Sequence, residues 1–503
     1  MSARRWVPRP ALAAASAAAV AVALIPLVYL GVRTGEAGWA RIADELFTRR
    51  VLVLAGRSLA LAAVVTAACT ALGVGTAFLV TRTDLPLRRF FGVLAALPLA
   101  VPTYVAAFAW VSTADSFAGF WPAALVLTLC SYPYVFLPVA AALAGADPAQ
   151  EEVSRSLGRG AWRTFAAVTL RQVRPAVAAG ALLVALYVLS DFGAVSIVRV
   201  DTFTRAIFTA FNLGFDRTGA LVLATVLVAL TALLIAGELA SRTRGARYTG
   251  GGRPPTRFRL RGGRWPAALA LAAVTALALG VPAASLTRWL AAGVSRPESL
   301  GAVATAAGNS LGVSLAGAGL TMLLALPVGL LTARAPGPLA TVLDRLTYLA
   351  HALPGVVIGL SLVFFGINVA YPLYQTVWLL ALAYATLFLP LAVGAVAGAA
   401  AQSPPVLEEV GRSLGRGPFA VLRTVTLPLT LPGIGAGAAL VFLTCMKELP
   451  ATLLLRPTGV DTLATELWTH TATAAYAAAA PYAALLVALA AVPTWFLTLR
   501  GGA

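Results

Sequence analysis

The chain has 503 residues, of which 60% are hydrophobic and 11% charged, with a mean hydropathy of +0.87. A soluble domain is roughly a quarter charged, so this composition excludes a water-soluble globule and sets most of the chain against lipid or other helices. The net charge of +18 lies in Arg residues between apolar runs rather than on one soluble face, which excludes nucleic-acid binding.

Hydrophobic runs long enough to cross a bilayer, each about 20 residues, predict an all-α polytopic membrane protein of about 12 spans in the lipid bilayer. In chain order they cover 11–31, 54–80, 91–112, 120–144, 175–198 and 218–240, then 266–287, 307–332, 347–370, 375–400, 430–447 and 478–499. The first follows Arg4, Arg5 and Arg9, as a signal peptide would. Its apolar run is long for one, and the second half has an equivalent sixth span, so it is expected to remain as a helix.

After the fourth span the chain reads EEVSRSLGRG at 151–160, and EEVGRSLGRG recurs at 408–417, 257 residues later. Nine of the ten positions are identical. A block repeated at half the chain length implies two homologous halves. Six spans per half is an even number, so the halves run parallel, related by a pseudo-twofold axis along the membrane normal. The predicted division is 1–240 for the first half, 241–264 for an Arg-, Gly- and Pro-rich linker, and 265–503 for the second half. Other landmarks repeat: Ala55-Gly56-Arg57-Ser58-Leu59 with Ala307-Gly308-Asn309-Ser310-Leu311, Leu97-Pro98 with Leu353-Pro354, and Phe136-Leu137-Pro138 with Phe388-Leu389-Pro390. The intramembrane prolines predict ordinary helix bending for the most part.

Each repeated block reads as a short helix, a turn and a second amphipathic helix. Asp147-Pro148 and Ser403-Pro404-Pro405 are helix starts, and Glu151, Glu152, Glu408 and Glu409 lie in first turns. Gly158 and Gly415 supply the turn. Amphipathic loops at the interface would explain the polarity alone. They would not explain one surface sequence kept twice while the spans diverge, which points to docking. Arg-rich segments, including the eight Arg of 241–264, place both blocks, the linker and both termini in the cytoplasm.

At the outer ends of spans five and eleven, Asp191 aligns with Glu448, Arg199 with Arg456, and Asp201-Thr202 with Asp461-Thr462. These residues and Lys447, the chain's one lysine, are candidates for an outer mouth or path. Charges at membrane depth invite a functional reading. An ion pair between Lys447 and Glu448 is the structural alternative. Cys69, Cys130 and Cys445 read as small core residues. His351 and His470 have no ligand motif, so no metal site and no catalytic group are expected.

The Glu-x-x-x-x-x-x-Gly pattern before a Leu-x-x-x-x-Pro segment resembles the EAA loop of ATP-binding-cassette importer permeases, over essentially the whole chain. The usual middle Ala positions are here Glu152-Val153 and Glu409-Val410. The resemblance implies coupling helices that insert into ATPase subunits, with Glu151 and Glu408 meeting basic groups there. The stretch 446–468, MKELPATLLLRPTGVDTLATELW, resembles ferric-iron permeases in particular. Implied partners are a separate ABC ATPase, two copies carrying ATP and Mg, and a substrate-binding protein, in a bacterial inner or cytoplasmic membrane. No cofactor is expected on this chain. Its lone Lys follows Met446 and cannot belong to a Walker A loop. Thiamine, polyamine and phosphonate permeases share the architecture. An ion-gradient-driven secondary transporter is the rival class, disfavoured because Asp and Glu fall mainly at span ends.

Overall fold

In hydrocarbon, backbone N–H and C=O groups must be paired within the chain, so apolar runs of this length become helices. The computed structural model describes residues 10–36, 38, 43, 44, 46, 48–114, 116–146, 148–241, 257–293, 300–351 and 353–501. Asp147 and linker positions 242–256 lie outside the described residues. Among those described, the chain is helical, with a single isolated β-bridge, Thr83 to Phe258.

Among the described residues, nine helices are long and apolar enough to cross a membrane: Pro10–Glu36, Arg49–Arg82, Phe120–Ala144, Phe165–Ser190, Arg217–Gly237, Arg261–Ala292, Leu300–Arg334, Val377–Gln402 and Phe419–Met446. A tenth is the bent pair Arg88–Ala100 and Thr103–Val111. The shorter apolar helices Gly355–Asn368 and Tyr476–Ala490 stand at the expected ninth and twelfth positions. All twelve sequence segments therefore correspond to helical elements, six in each half.

Three segments differ from expectation. The third is folded by 91° rather than gently bent. Leu97–Ala100 tightens into a 3-10 turn, Val101 is extended, and Pro102 starts a new helix. Proline lacks the N–H that would continue the ladder and pushes its predecessor out of helical geometry. Leu353-Pro354 does the same job, separating Pro338–His351 from Gly355–Asn368. The fifth segment ends at Ser190, not at 198. Asp191 is extended there, and the short helix Gly193–Ile197 restarts beyond it. By contrast Pro138 and Pro390 sit inside continuous helices.

The second helix of each half is the longest. Arg49–Arg82 has 34 residues and Leu300–Arg334 has 35. At 1.5 Å per residue each is about 50 Å long, well beyond a hydrocarbon core of about 30 Å. Each therefore reaches from one face to a charged end, Arg82 or Arg334. Close packing is built on small residues. A Cβ at Gly73 would stand 2.7 Å from Val135 Cβ and 2.9 Å from Phe136 N. A larger residue would force the 49–82 and 133–144 helices apart.

The halves are interlocked by their first helices. Ala19, Val20 and Ala23 of Pro10–Glu36 pack in the second half's core with Val313, Met322 and Ile358. Reciprocally, Ala268 and Leu271 pack on Leu85 and Phe91 of the first half. Ser285 joins this contact through a 2.8 Å hydrogen bond between its hydroxyl and that of Ser112. A division by sequence at 240 thus separates two repeats that exchange one helix each in space.

Candidate coupling surface and inter-half cavity

The repeated blocks fold as helices Pro148–Ser156 and Pro405–Ser413. Each is closed by a glycine in the left-handed region, Gly158 and Gly415, both at φ +78°. A Cβ there would meet nothing, so backbone conformation alone requires glycine.

The two glutamates expected to face a partner face inward. Glu151 and Glu408 are buried, whereas Glu152 and Glu409 are exposed. Glu151 pairs with Arg82, and both side chains are fully buried. Arg82 Nη1 also donates to the Leu143 carbonyl at 3.2 Å, and Thr169 Oγ1 donates to Glu151 Oε1 at 2.7 Å. The second half repeats the motif. Arg334 Nη2 lies 2.8 Å from Glu408 Oε1, and Thr426 Oγ1 donates to the same oxygen at 3.0 Å. The expected contact of Glu151 and Glu408 with basic groups elsewhere is corrected: their basic partner is the end of the long helix in their own half. A buried carboxylate must find such a partner, since leaving it unpaired is costly.

Two further features carry this geometry and were not anticipated. Phe165–Thr169 and Leu422–Thr426 are single π-helical turns at equivalent places, and each ends on the threonine that donates to the glutamate. A π-turn shifts the register of the following residues, a device common at functional sites. Sequence alone carries no signal for it beyond the repeated Val-Thr-Leu. The one differing position of the block is also explained. Ser154 hydroxyl lies 3.2 Å from that of Thr164, while at the equivalent pair a Cβ on Gly411 would stand 3.3 Å from Val421. A polar contact in one half is replaced by close packing in the other.

Beside Glu152 and Glu409, the helices present apolar side chains outward. Val153 is 60% exposed and Leu157 74%, matched by Val410 at 48% and Leu414 at 74%. Exposed apolar side chains on a short polar helix, repeated at equivalent positions, are available for contact with a partner.

The first block has an additional support. Phe258 N donates to the Arg82 carbonyl at 2.7 Å, and Asp84 N donates to the Phe258 carbonyl at 3.2 Å. The Phe258 ring packs on Phe78, and the Arg155 guanidinium lies 4.7 Å over it. Leu260 N donates to Asp84 Oδ1 at 2.9 Å, and Arg264 pairs with the other oxygen. The Leu260 N–H and then Arg264 hold the Asp84 carboxyl below its usual range, so this clasp is charged at any physiological pH. The end of the linker is therefore fastened to the first half.

The expected mouth residues separate into two groups. Asp201, Arg199, Arg456 and Asp461 lie toward the surface: Arg199 and Asp201 are exposed, Arg456 and Asp461 partly buried. Asp201 pairs with Arg57 at 3.3 Å and Arg205 at 2.7 Å, and Arg456 pairs with Asp461. Beside them, Ser58 accepts from Phe203 N at 3.2 Å and Ser310 from Leu463 N at 2.8 Å. The repeated Ser-Leu landmark thus caps the helices Phe203–Asn212 and Leu463–Ala472 from the long helices.

Asp191, Lys447 and Glu448 are instead drawn to a cavity of 240 Å³ between the halves, lined by Thr103, Tyr104 and Tyr187 among others. Asp191 Oδ1 accepts from Ala194 N at 3.0 Å and Val195 N at 3.2 Å, and Oδ2 from Thr103 Oγ1 at 2.6 Å. Glu448 Oε1 accepts from Ala451 N at 2.9 Å, and Oε2 from Thr452 N at 3.0 Å and its hydroxyl at 2.7 Å. Both carboxylates cap short helices, a stabilising use of charge at a helix N-terminus. The alternative of a Lys447–Glu448 ion pair is corrected. Lys447 Nζ reaches across to the first half and donates to the Leu99 carbonyl at 3.1 Å. No group of three or more His, Cys, Asp or Glu able to hold a metal is present among the described residues.

With this geometry in hand, comparison with known proteins is informative. Residues 70–243 and 325–499 each match the family described as binding-protein-dependent transport system inner membrane component. The chain belongs to this family. The permease is 40% identical over 480 residues to the Fe(3+)-transport system permease protein FbpB 2 of Haemophilus influenzae, covering 94% of this chain and 95% of that one. It is 28% identical over 236 residues to the sulfate transport system permease protein CysT of Escherichia coli, 42% of this chain and 84% of the relative. It is 34% identical over 160 residues to the molybdenum transport system permease protein ModB of the same species, 28% of this chain and 68% of the relative. The permease is thus an ABC importer membrane component with two family units in one chain, a transport component of a multi-pass membrane assembly.

Proposed function

We propose that this permease forms the path for ferric iron in an ABC importer, receiving it from a substrate-binding protein on one face and driven by ATPase subunits on the other. The observation that carries the cargo is the 40% identity along nearly the whole of both chains to an Fe(3+)-transport permease. The sulfate and molybdenum relatives align with 42% and 28% of this chain. Hydrolysis of ATP with Mg is assigned to a separate ABC ATPase, two copies of which meet the exposed faces of the 148–156 and 405–413 helices. Glu152, Val153, Leu157 and their counterparts Glu409, Val410 and Leu414 form the contact. Gly158 and Gly415 let the chain turn back to the membrane. Asp201, Arg199, Arg456 and Asp461 flank the entrance on the opposite face. The two moving bodies are the repeats of 1–240 and 265–503 with their first helices exchanged, joined through 241–264.

Proteoliposomes holding the permease, its ATPase and its binding protein should accumulate radiolabelled ferric iron only with ATP. Competing assays with sulfate, molybdate and thiamine should show no uptake. Uptake of one of these without iron would remove the cargo assignment and leave the importer assignment. Accumulation without ATPase, following an ion gradient, would remove both.

The orientation is tested independently. The permease is placed with both termini, the linker and both block helices in the cytoplasm of a bacterial inner membrane. Leu157→Cys should resist an impermeant maleimide in intact cells and react after permeabilisation. Background is low because Cys69, Cys130 and Cys445 are buried. Labelling in intact cells would invert the map.

A further inference from the structure

The inter-half cavity holds three charged groups, and their hydrogen bonds separate their roles. Asp191 and Glu448 look at first like ferric ligands. Both of their oxygens are already engaged by backbone N–H groups and threonine hydroxyls, and their charge answers two helix N-termini. Lys447 differs. An ammonium has three donors, and the Leu99 carbonyl takes one at 3.1 Å. The Tyr104 side chain, which lines the same cavity, is 3% exposed, and its hydroxyl has no hydrogen-bond partner among the described residues. Its ring is held in place by Gly193, where a Cβ would stand 2.7 Å from Tyr104 Cβ. A buried hydroxyl without a partner is uncommon and points to a missing one. Lys447 and Tyr104, which both line the cavity, thus offer a cation and an unpaired hydroxyl from opposite halves.

A bare ferric ion carries three positive charges and would be repelled by an ammonium in a cavity of low dielectric. An anionic oxygen bound to that ion would be attracted and would accept from both groups. We propose that Lys447 and Tyr104 form an anion-reading station in the path, so that the metal crosses together with an anionic oxygen ligand, a phosphate or a carboxylate. The inference rests on the importer reading above and specifies the chemical form of its cargo. Because Lys447 follows the 427–446 helix of one half and grips the carbonyl of Leu99 in the other, filling the station also bridges the halves.

The test uses the complete importer in proteoliposomes, with labelled iron supplied alongside 32P-phosphate in one arm and 14C-citrate in another. Labelled anion should enter with the iron in a fixed ratio in at least one arm, and that arm identifies its source. Lys447→Met should lower iron uptake at least tenfold while binding-protein-stimulated ATP hydrolysis persists, Lys447→Arg should restore most of it, and Tyr104→Phe should lower it several-fold. Iron entering at the wild-type rate with neither labelled anion would overturn the proposal, and this measurement needs no variant to fold. So would undiminished uptake by Lys447→Met. If the wild type carries sulfate or molybdate and no iron, the ferric assignment falls. The station then stands if that oxyanion's uptake collapses in Lys447→Met, and falls if it does not.

Discussion

Glu151→Lys combined with Glu408→Lys should abolish transport and also loosen both block helices, because each new ammonium would face a buried guanidinium, Arg82 or Arg334. Removing one partner of a buried pair costs about 3–5 kcal/mol, and reversing it costs more. Had these acids met only a partner protein, as the resemblance implies, the fold would be spared. The structure moves the damage inside the chain. Limited proteolysis should therefore cut the double variant near 148–160 and 405–417 while the spans stay protected. The swap Arg82→Glu with Glu151→Arg should recover protection in the first block, since it restores opposite charges in one site. If the reversed variant keeps native protease resistance and fails only to bind ATPase, the inward pairs have no structural weight.

The complementary change lies on the outer face. Leu157→Asp with Leu414→Asp should leave expression, membrane insertion and protease protection unchanged, because both side chains are 74% exposed and surface substitutions seldom cost more than about 0.5 kcal/mol. ATPase co-purification should nevertheless fall at least tenfold. An apolar anchor in a partner's groove is typically worth about 2 kcal/mol or more, and here two are lost. The measurement is the ATPase to permease ratio after detergent extraction. A ratio equal to wild type would move the docking surface elsewhere, with Glu152 and Glu409 the next residues to test.

The contrast between these experiments shows what the chain made legible. Hydropathy located all twelve helical segments because lipid leaves the backbone no other way to pair. The repeat located both block helices and their turning glycines because the same ten-residue phrase must fold the same way twice. Which of two adjacent glutamates turns inward was not legible. That choice depends on where the last residue of a helix some 70 positions upstream arrives, and on a π-turn that rotates Thr169 and Thr426 onto the carboxylates. The end of the fifth span was misplaced for a related reason. Thr103 and the N–H groups of Ala194 and Val195 make a buried Asp191 a cap, so the helix stops at a residue that composition would carry through. Lys447 and Glu448 looked like an adjacent ion pair because sequence shows neighbours and hides the Leu99 carbonyl 348 positions away.

The fastening of Phe258 between Arg82 and Asp84 has a mechanical consequence. The block phrases are nearly identical, but in the first half the root of the lever is clamped by a segment leading into the second half. The levers are therefore unequal in stiffness, although the ATPases proposed to push on them are alike. Force applied at 148–156 is braced by the 261–292 helix, which packs on the same half, whereas force at 405–413 enters its repeat without that brace. A symmetric motor would thus drive an asymmetric load, and the order in which the repeats yield would be set by the gene fusion rather than by the motor.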